Sequence, residues 1–448
     1  KVVRGETQSI QIDQQAVPLY RYRAGTNGLY YQQVLMSVPV SILNTPLFAI
    51  YTGLIGELGA GEWDYLQLQQ QQTAQSGGVN LGASLRTHVS DRQQVSAWLV
   101  LSSKALADRP EAMTLMRQAF EQLRFDEADR ILELLQQRKA RWQSRLAAAG
   151  HAYAMQTASR GMSLLATHEY QNGGLPALLW LCAQLAQIEQ DRSALDHLIA
   201  ALVALHQQVL GLPKALLLVA EPARLEQLTQ QLVTTWQQLP PSSQSTLPHV
   251  TPEVPVAEAE VAWLIQANVQ FCAAAYPAVP LDHPDVAALM VLGPYLRNGF
   301  LHRALREQGG AYGGGAGYDG NTCAFRFHSY RDPRLAETFA DFQASIDWLL
   351  TQPQQAYQLE ESILGLMASM DKPGSPAGEA ISACHAQLHG RTPARRQALR
   401  QSILAVSLAD LQRVAQTYLQ PAQRRRAVVA PYAKQAELEA MGFVIERA

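Results

Sequence analysis

Residues 305–333, LREQGGAYGGGAGYDGNTCAFRFHSYRDP, hold seven of the chain's 29 glycines and restrict the architecture more than any other stretch. A run this rich in glycine cannot continue a helix, because each glycine costs about 1 kcal/mol against alanine in a helix interior. The segment before it is helical in pattern, with Val286, Leu292, Tyr295, Leu296 and Leu305 at apolar-periodic positions and Arg306 closing the run. Gly309-Gly310 then supplies the left-handed backbone that ends helices. Downstream, Thr322, Ala324, Arg326, His328 and Tyr330 alternate with Cys323, Phe325, Phe327 and Ser329, the period-two signature of a strand with one buried face. Asp332-Pro333 predicts another helix, with Asp as its N-cap and Pro at its first position. The stretch is therefore expected to be a helix end, a glycine-rich turn, a hairpin and a helix start. With a first strand beginning at Ala311, Arg306 and Tyr312 would face one groove, lined by bare backbone at Gly313, Gly314 and Gly315. An extended peptide can approach such backbone closely.

Arg-Glu-Gln-Gly-Gly-Ala-Tyr-Gly at 306–313, followed by Ser-Tyr-Arg-Asp-Pro at 329–333, resembles the C-terminal half of the insulinase-like zinc peptidases of the pitrilysin superfamily, in particular their presequence-protease branch. Asp371-Lys372-Pro373, Ser375-Pro376-Ala377-Gly378-Glu379-Ala380, Leu58-Gly59 and Lys139-Ala140-Arg141 fall in the order of that half, so the resemblance covers nearly all of the chain. It implies an α+β fold of two homologous domains, each a mainly antiparallel sheet covered by helices. It also implies that Arg306 and Tyr312 lie opposite a zinc ion across a closed chamber, where they bind the substrate backbone and stabilise the oxyanion. Gly313 and Gly314 would join them in substrate binding.

A chain of 448 residues is too long for one core and suits two domains. With 48% hydrophobic residues, 17% charged residues and a net charge of -2, it has ordinary globular composition and no basic stripe of the kind nucleic-acid binders carry. Arg424 to Arg426 is the densest basic spot, and it leads into the strand-like Ala427-Val428-Val429. Cys182, Cys272, Cys323 and Cys384 form no C-x-x-C, so reduced thiols are expected rather than a disulfide framework or a cysteine zinc site. The longest apolar stretches, 175–185 and 198–205, fall short of a membrane span. The first residue is Lys1 rather than Met, so the sequence assigns no compartment.

In chain order, 1–25 is polar and is expected to be a linker from a missing N-terminal half, with a short strand-like piece at 17–22. Residues 26–239 form the first domain: a strand at 29–40, a helix at 47–58 ended by Gly59, strands at 81–89 and 95–102, helices from Asp108 to Leu210, a strand at 215–220 and a closing helix at 223–239. The Pro/Ser-rich interval 240–255 is expected to be the interdomain linker. Residues 256–448 then repeat the order of elements: strands within 259–275, a helix through Leu292, the glycine-rich segment and hairpin, a set of helices and a strand at 427–431. This is an internal duplication.

The family's chemistry uses zinc held on an H-x-x-E-H helix, with the Glu activating water. No H-x-x-E-H occurs in this sequence. His385-Ala-Gln-Leu-His389 puts two imidazoles on one helical face, but Leu388 stands where the Glu would be, and the pair reads as structural. Aligning 47–59 with the zinc helix of a catalytic domain puts Ile50, Gly53 and Leu54 at the metal and base positions, where none can bind zinc. Gly315-Ala-Gly317-Tyr-Asp-Gly320 matches the dinucleotide fingerprint only formally, because a strand pattern rather than a helix follows it. Tyr318, Phe325, Phe327 and Tyr330 are expected to be core aromatics, with cavity lining as the alternative. On residue type alone Arg306 and Tyr312 are a surface arginine and a packed strand tyrosine, and the resemblance gives them their chemical role.

The sequence thus points to the non-zinc-binding C-terminal half of a zinc oligopeptidase that encloses and hydrolyses unfolded peptides. Zinc would sit in the N-terminal half, on the same polypeptide or a separate subunit, with none in this chain and neither nucleic acid nor membrane as partner. The rival is a stand-alone, non-catalytic structural subunit of the same superfamily, which would have no chemical reason to keep the Arg306–Tyr312 pair.

Overall fold

A computed structural model describes residues 3–12, 15–237 and 259–448; the expected linker at 240–255 lies outside them. The described strands form two six-stranded sheets. The first contains β1 (Glu6–Ile12), β2 (Gln15–Arg23), β3 (Leu29–Ser37), β4 (Val79–Thr87), β5 (Val95–Leu106) and β6 (Lys214–Ala220), in the order β1-β2-β6-β3-β5-β4. The second contains β7 (Val261–Ile265), β8 (Phe271–Pro277), β9 (Gly313–Asp319), β10 (Ala324–Tyr330), β11 (Arg425–Pro431) and β12 (Val444–Arg447), in the order β12-β7-β11-β8-β10-β9. The run β2-β6-β3-β5-β4 has the same path as β7-β11-β8-β10-β9, so the duplication read from element order is also one of sheet topology. Only β2–β6, β7–β11 and β7–β12 pair in parallel, which leaves both sheets mixed but mainly antiparallel.

Several expectations are corrected. Residues 1–25 are not simply a linker, since β1 and β2 belong to the first sheet, with Val17 and Leu19 buried and Arg21 bridging Glu6 (2.8 Å) and Glu226 (2.9 Å). The polar composition of β1 is that of an exposed edge strand. The helix expected at 47–58 stops early, as Pro46–Thr52, because Gly53 caps it and Gly56 takes a positive φ of 81°. Asp332 does not cap the next helix, which runs Ala336–Thr351. It is fully buried, and its carboxylate accepts from the Arg334 amide (2.9 Å) and the Thr338 hydroxyl (2.7 Å), while its backbone bridges Gln270. The helix Tyr65–Gln75 and strand β12 lie outside the expected elements: six of the helix's eleven residues are Gln, which blurs its apolar periodicity although Asp64 and Gln67 form a capping box, and β12 is mostly exposed.

Burial on both faces governs how the halves join. All seven residues of β6 and all five of β7 are buried, so neither sheet can leave a face in water. One face of the first sheet, including Leu19, Val34 and Leu99, packs on helices of its own half. The other face, with Leu35, Leu217 and Val219, is covered by Ala377, Ala380 and Cys384 of the helix Pro376–Leu388 from the second half. The converse holds for the second sheet, where Trp263, Phe271 and Val429 pack under Leu146, Ala154 and Ala158 of the long helix Ala128–Ser159 from the first half. Each fully buried apolar side chain contributes about 1.5–3 kcal/mol, so this exchange outweighs any polar contact between the halves.

Polar groups then fix the register. His385 bonds Gln33 (2.7 Å), and His389 bonds Ser96 (2.8 Å) through one ring nitrogen and Ser84 (2.9 Å) through the other, which makes the histidine pair an inter-half tie. The hydroxyls of Ser163 (2.7 Å) and Thr87 both donate to the Asn321 carbonyl at the tip of the β9–β10 hairpin, anchoring it to the first half. The four cysteines are free, and among the described residues no helix is long and apolar enough to cross a membrane.

The long helix kinks at Ala149 (φ -118°, ψ 17°), and Gly150 beside it admits the fully buried Phe271 ring so closely that a Cβ at 150 would overlap it. Helix propensity alone would make Gly150→Ala stabilising by about 1 kcal/mol. Overpacking costs about 1–3 kcal/mol and should win because Phe271 cannot retreat from a sheet interior. Urea unfolding of Gly150→Ala should therefore give a lower midpoint than wild type; a higher one would mean that the helix–sheet contact is loose.

Candidate functional site

The helix Val286–Leu296 contains Pro294, which removes a backbone donor, and continues as wider i→i+5 turns from Arg297 to Gln308. Its end is built as the glycines suggested: Gly310 takes a positive φ of 80°, its amide donates to Arg306 O (3.2 Å), and the Ala311 amide donates to Leu305 O (2.9 Å). The Tyr312 amide donates to Tyr330 O (3.0 Å), so the chain reaches the sheet one residue before β9 begins.

This turn brings the two predicted residues together. The Arg306 guanidinium carbon lies 5.6 Å from the centroid of the Tyr312 ring, and that ring packs edge-on against Tyr330 at 5.7 Å. Tyr312 is 66% exposed, which rules out a role as a buried packing residue. Among the described residues neither its hydroxyl nor the Arg306 guanidinium has a hydrogen-bond or ion-pair partner, although most arginines of this protein are paired. Gly313 and Gly314 follow directly in β9, which is the edge of its sheet. Alternate residues of an antiparallel edge strand turn their N–H and C=O away from the partner strand and leave them open to another chain. At Gly314 any Cβ would collide with Leu305 and the His328 carbonyl, so close packing here requires glycine.

Beside this edge is a cavity of about 410 Å³ lined by Gly313, Gly314, Gly315, Ala316, Arg297, His328, Tyr330 and His151. His151 comes from the long helix of the first half. Its ring is 5.7 Å from that of His328 and edge-on to Tyr330 at 4.9 Å. Burial, then the nearby His151, Arg326 and Arg297, push His328 down to about 4; burial likewise lowers His151. Both rings are therefore neutral near pH 7. Of the four strand aromatics only Tyr330 lines this cavity. Phe325 and Phe327 are fully buried, and Tyr318 donates to the Val279 carbonyl (2.7 Å). Sequence reasoning missed His151 and Arg297, and the available signal was slight: a histidine after glycine in an alanine-rich helix, and an arginine three residues past Pro294.

The positions aligned with a zinc helix, Ile50, Gly53 and Leu54, line a different cavity of about 510 Å³, together with Arg138, Arg141, Arg145 and Trp142. This lining does not fit zinc: its one described carboxylate, Glu57, is paired with Arg130 (3.0 Å), and three guanidinium groups would repel the ion. Arg138 stacks on Trp142 at 5.6 Å, and burial and then the Arg141 charge lower its pKa. No group of three His, Cys, Asp or Glu able to hold a metal occurs among the described residues.

Two family models match the chain: one described as associated with the C subfamily of M16 peptidases, over residues 1–183, and one as the PreP C-terminal domain, over residues 283–432. The chain belongs to the pitrilysin superfamily of M16 peptidases. It corresponds to the C-terminal half of presequence proteases. It is 25% identical to the mitochondrial presequence protease of Danio rerio over 435 residues, covering 90% of this chain and 41% of that protein. A shorter match, 36% over 165 residues, links it to the Saccharomyces cerevisiae enzyme, covering 37% of this chain and 16% of that one. Along most of its length, then, this M16 chain spans about two-fifths of the curated relatives it matches. Similar solved structures include a protease from Helicobacter pylori (TM-score 0.63, 14% identity, 95% of this chain and 100% of that one). A peptidase M16 inactive domain from Pseudomonas fluorescens is similar too (TM-score 0.62, 15% identity, 96% and 98%), and at such identities the likeness is one of fold.

The cavity histidine gives a pH prediction. A histidine in the unfolded chain takes up its proton near pH 6.5, whereas folded His328 stays neutral down to about 4. The unfolded state therefore binds more protons in that window, and stability should fall as pH drops from 6.5 towards 4. His206 and His389, also depressed to about 4, add to the same slope. His328→Asn should flatten the slope by about one proton, read from urea midpoints across that range; an unchanged slope would mean that His328 is not held neutral.

Proposed function

We propose that this chain supplies the substrate-binding and oxyanion-stabilising groups of a zinc oligopeptidase whose zinc-bearing half is homologous to the other part of the presequence proteases. The observation that carries this reading is the Arg306–Tyr312 pair: two polar groups brought together, left without partners, and set at the start of a glycine-lined sheet edge. A peptide chain added to β9 would receive main-chain hydrogen bonds from the edge. Its carbonyl would meet the phenol and guanidinium at the end of the strand.

When bound in the other half, zinc would supply Lewis-acid polarisation and an activated water. The residues of this chain do the rest. Tyr312 donates a hydrogen bond to the carbonyl oxygen as it becomes an oxyanion, and Arg306 offsets the charge. Such donors are worth most where water is excluded, which is the role of closure of one half on the other. Unfolded peptides suit an edge strand, because their extended backbone carries unpaired N–H and C=O groups that can complete the ladder. A purely structural subunit gives no account of why Arg306 and Tyr312 stand unpaired.

The test uses the enzyme assembled with a zinc-bearing half. Tyr312→Phe keeps the ring over Tyr330 and removes one donor, so folding should be unaffected. Loss of one oxyanion donor costs roughly 2.7–4 kcal/mol, about a hundredfold to a thousandfold in kcat. Because that charge exists mainly in the transition state, KM should stay near its original value. Arg306→Ala should also raise KM, since a guanidinium can already hold a ground-state carbonyl. Full activity in Tyr312→Phe at unchanged melting temperature would overturn the assignment. The chain alone should hold no stoichiometric zinc and cleave no peptide, and metal analysis finding one tightly held zinc per chain would contradict this.

A further inference from the structure

The cavity beside β9 contains more polar capacity than an apolar side chain could satisfy. Arg297 lines it without a hydrogen-bond or ion-pair partner among the described residues, and His151 Nδ1 is buried with no partner. His328 stands directly across the ladder from Gly315. Among the described residues no carboxylate lines the cavity, and the carboxylate of Asp319 in the same hairpin is already paired with Arg326. A basic side chain would be repelled by Arg297, and an apolar one would leave the imidazole nitrogens unpaired at a cost. A carboxylate accepts from the guanidinium and from the N–H of each neutral imidazole, so it answers all three of these groups.

The missing side chain at 315 opens the way in. A Cβ there would sit 3.4 Å from Arg297 Cδ and 3.6 Å from His328 Cε1, at the mouth of the cavity and in ordinary contact with it. A peptide lying along the β9 edge would therefore pass a side chain through the space that residue 315 leaves empty. Gly315 is three residues from Tyr312, roughly 10 Å along a strand.

We propose that this cavity is a carboxylate subsite, with Arg297, His151 and His328 as specificity-determining residues, selecting peptides with Asp or Glu about three residues from the carbonyl held at Tyr312. The proposal rests on reading β9 as the peptide-binding edge. A peptide's own C-terminal carboxylate presents the same chemistry, and the test separates the two sources.

Binding to the full chain is measured by calorimetry with three N-acetylated peptides of one extended sequence. The first has an internal Glu and an amidated C-terminus, the second Gln at that position and the same amide, the third Gln and a free C-terminal carboxylate. The Glu peptide should bind about tenfold more tightly than its Gln counterpart, the scale of one charge-assisted hydrogen bond. Arg297→Gln, at an exposed position that should not disturb folding, should bring the Glu peptide to the level of the Gln peptide. Gly315→Val, which fills the mouth, should do the same. A gain confined to the free-carboxylate peptide, and lost in Arg297→Gln, supports the subsite with the chain end as its ligand. Equal binding of all three, or a Glu preference that survives Arg297→Gln, overturns the subsite while leaving peptide binding at β9 standing. If none of the peptides binds, both readings fall.

Discussion

Each sheet of this protein is apolar on both faces, and only the other half of the chain can cover the second one. β6 and β7 have no exposed residue, so the helix Pro376–Leu388 must lie on the first sheet and the helix Ala128–Ser159 on the second. A hinge between the halves would expose Leu217, Val219, Trp263 and Phe271 to water, at about 1.5–3 kcal/mol for each large side chain. The two halves are therefore one rigid piece by packing, and the candidate site depends on it. His151 reaches the β9–β10 hairpin only because the first half's long helix crosses the second sheet, and the tip of that hairpin is tied by Ser163 and Thr87.

The same packing explains what is left open. β9 is the one strand of its sheet with glycine at Gly313, Gly314, Gly315 and Gly317, and it lies at the edge where no further strand pairs. Natural sheets guard such edges with charge, proline or cover. Here the charges are Arg306 and Arg297, with Tyr312 beside them; two like charges repel an identical copy of the edge, and both attract the carboxylate or carbonyls of a peptide. In the proposed function that edge is the working surface of the chain.

Much of this could be read from residues. The 305–333 stretch gave the helix end, the hairpin and the Arg306–Tyr312 pairing, because glycine and strict alternation act through local backbone geometry. The duplication was visible in the order of elements for the same reason. What local pattern could not give was set by tertiary contact. Asp332 looked like an N-cap, yet it is buried and spends its carboxylate on Thr338 and the Arg334 amide. Polar β1 reads as linker because an edge strand needs no apolar alternation, and it is a strand because Arg21 and the register with β2 hold it. The His151–His328 contact joins residues from different halves, and no spacing rule reaches that far.

The central claim is that the β9 edge is where an extended peptide binds. Amide hydrogen exchange of the full chain, with and without a saturating unfolded peptide, measures this directly because the amides in question belong to one short stretch. The account predicts slowed exchange across 313–318, with β4, the matching edge of the first sheet, unchanged. Protection confined to the first half, or exchange at 313–318 that a bound peptide leaves unaltered, would contradict it.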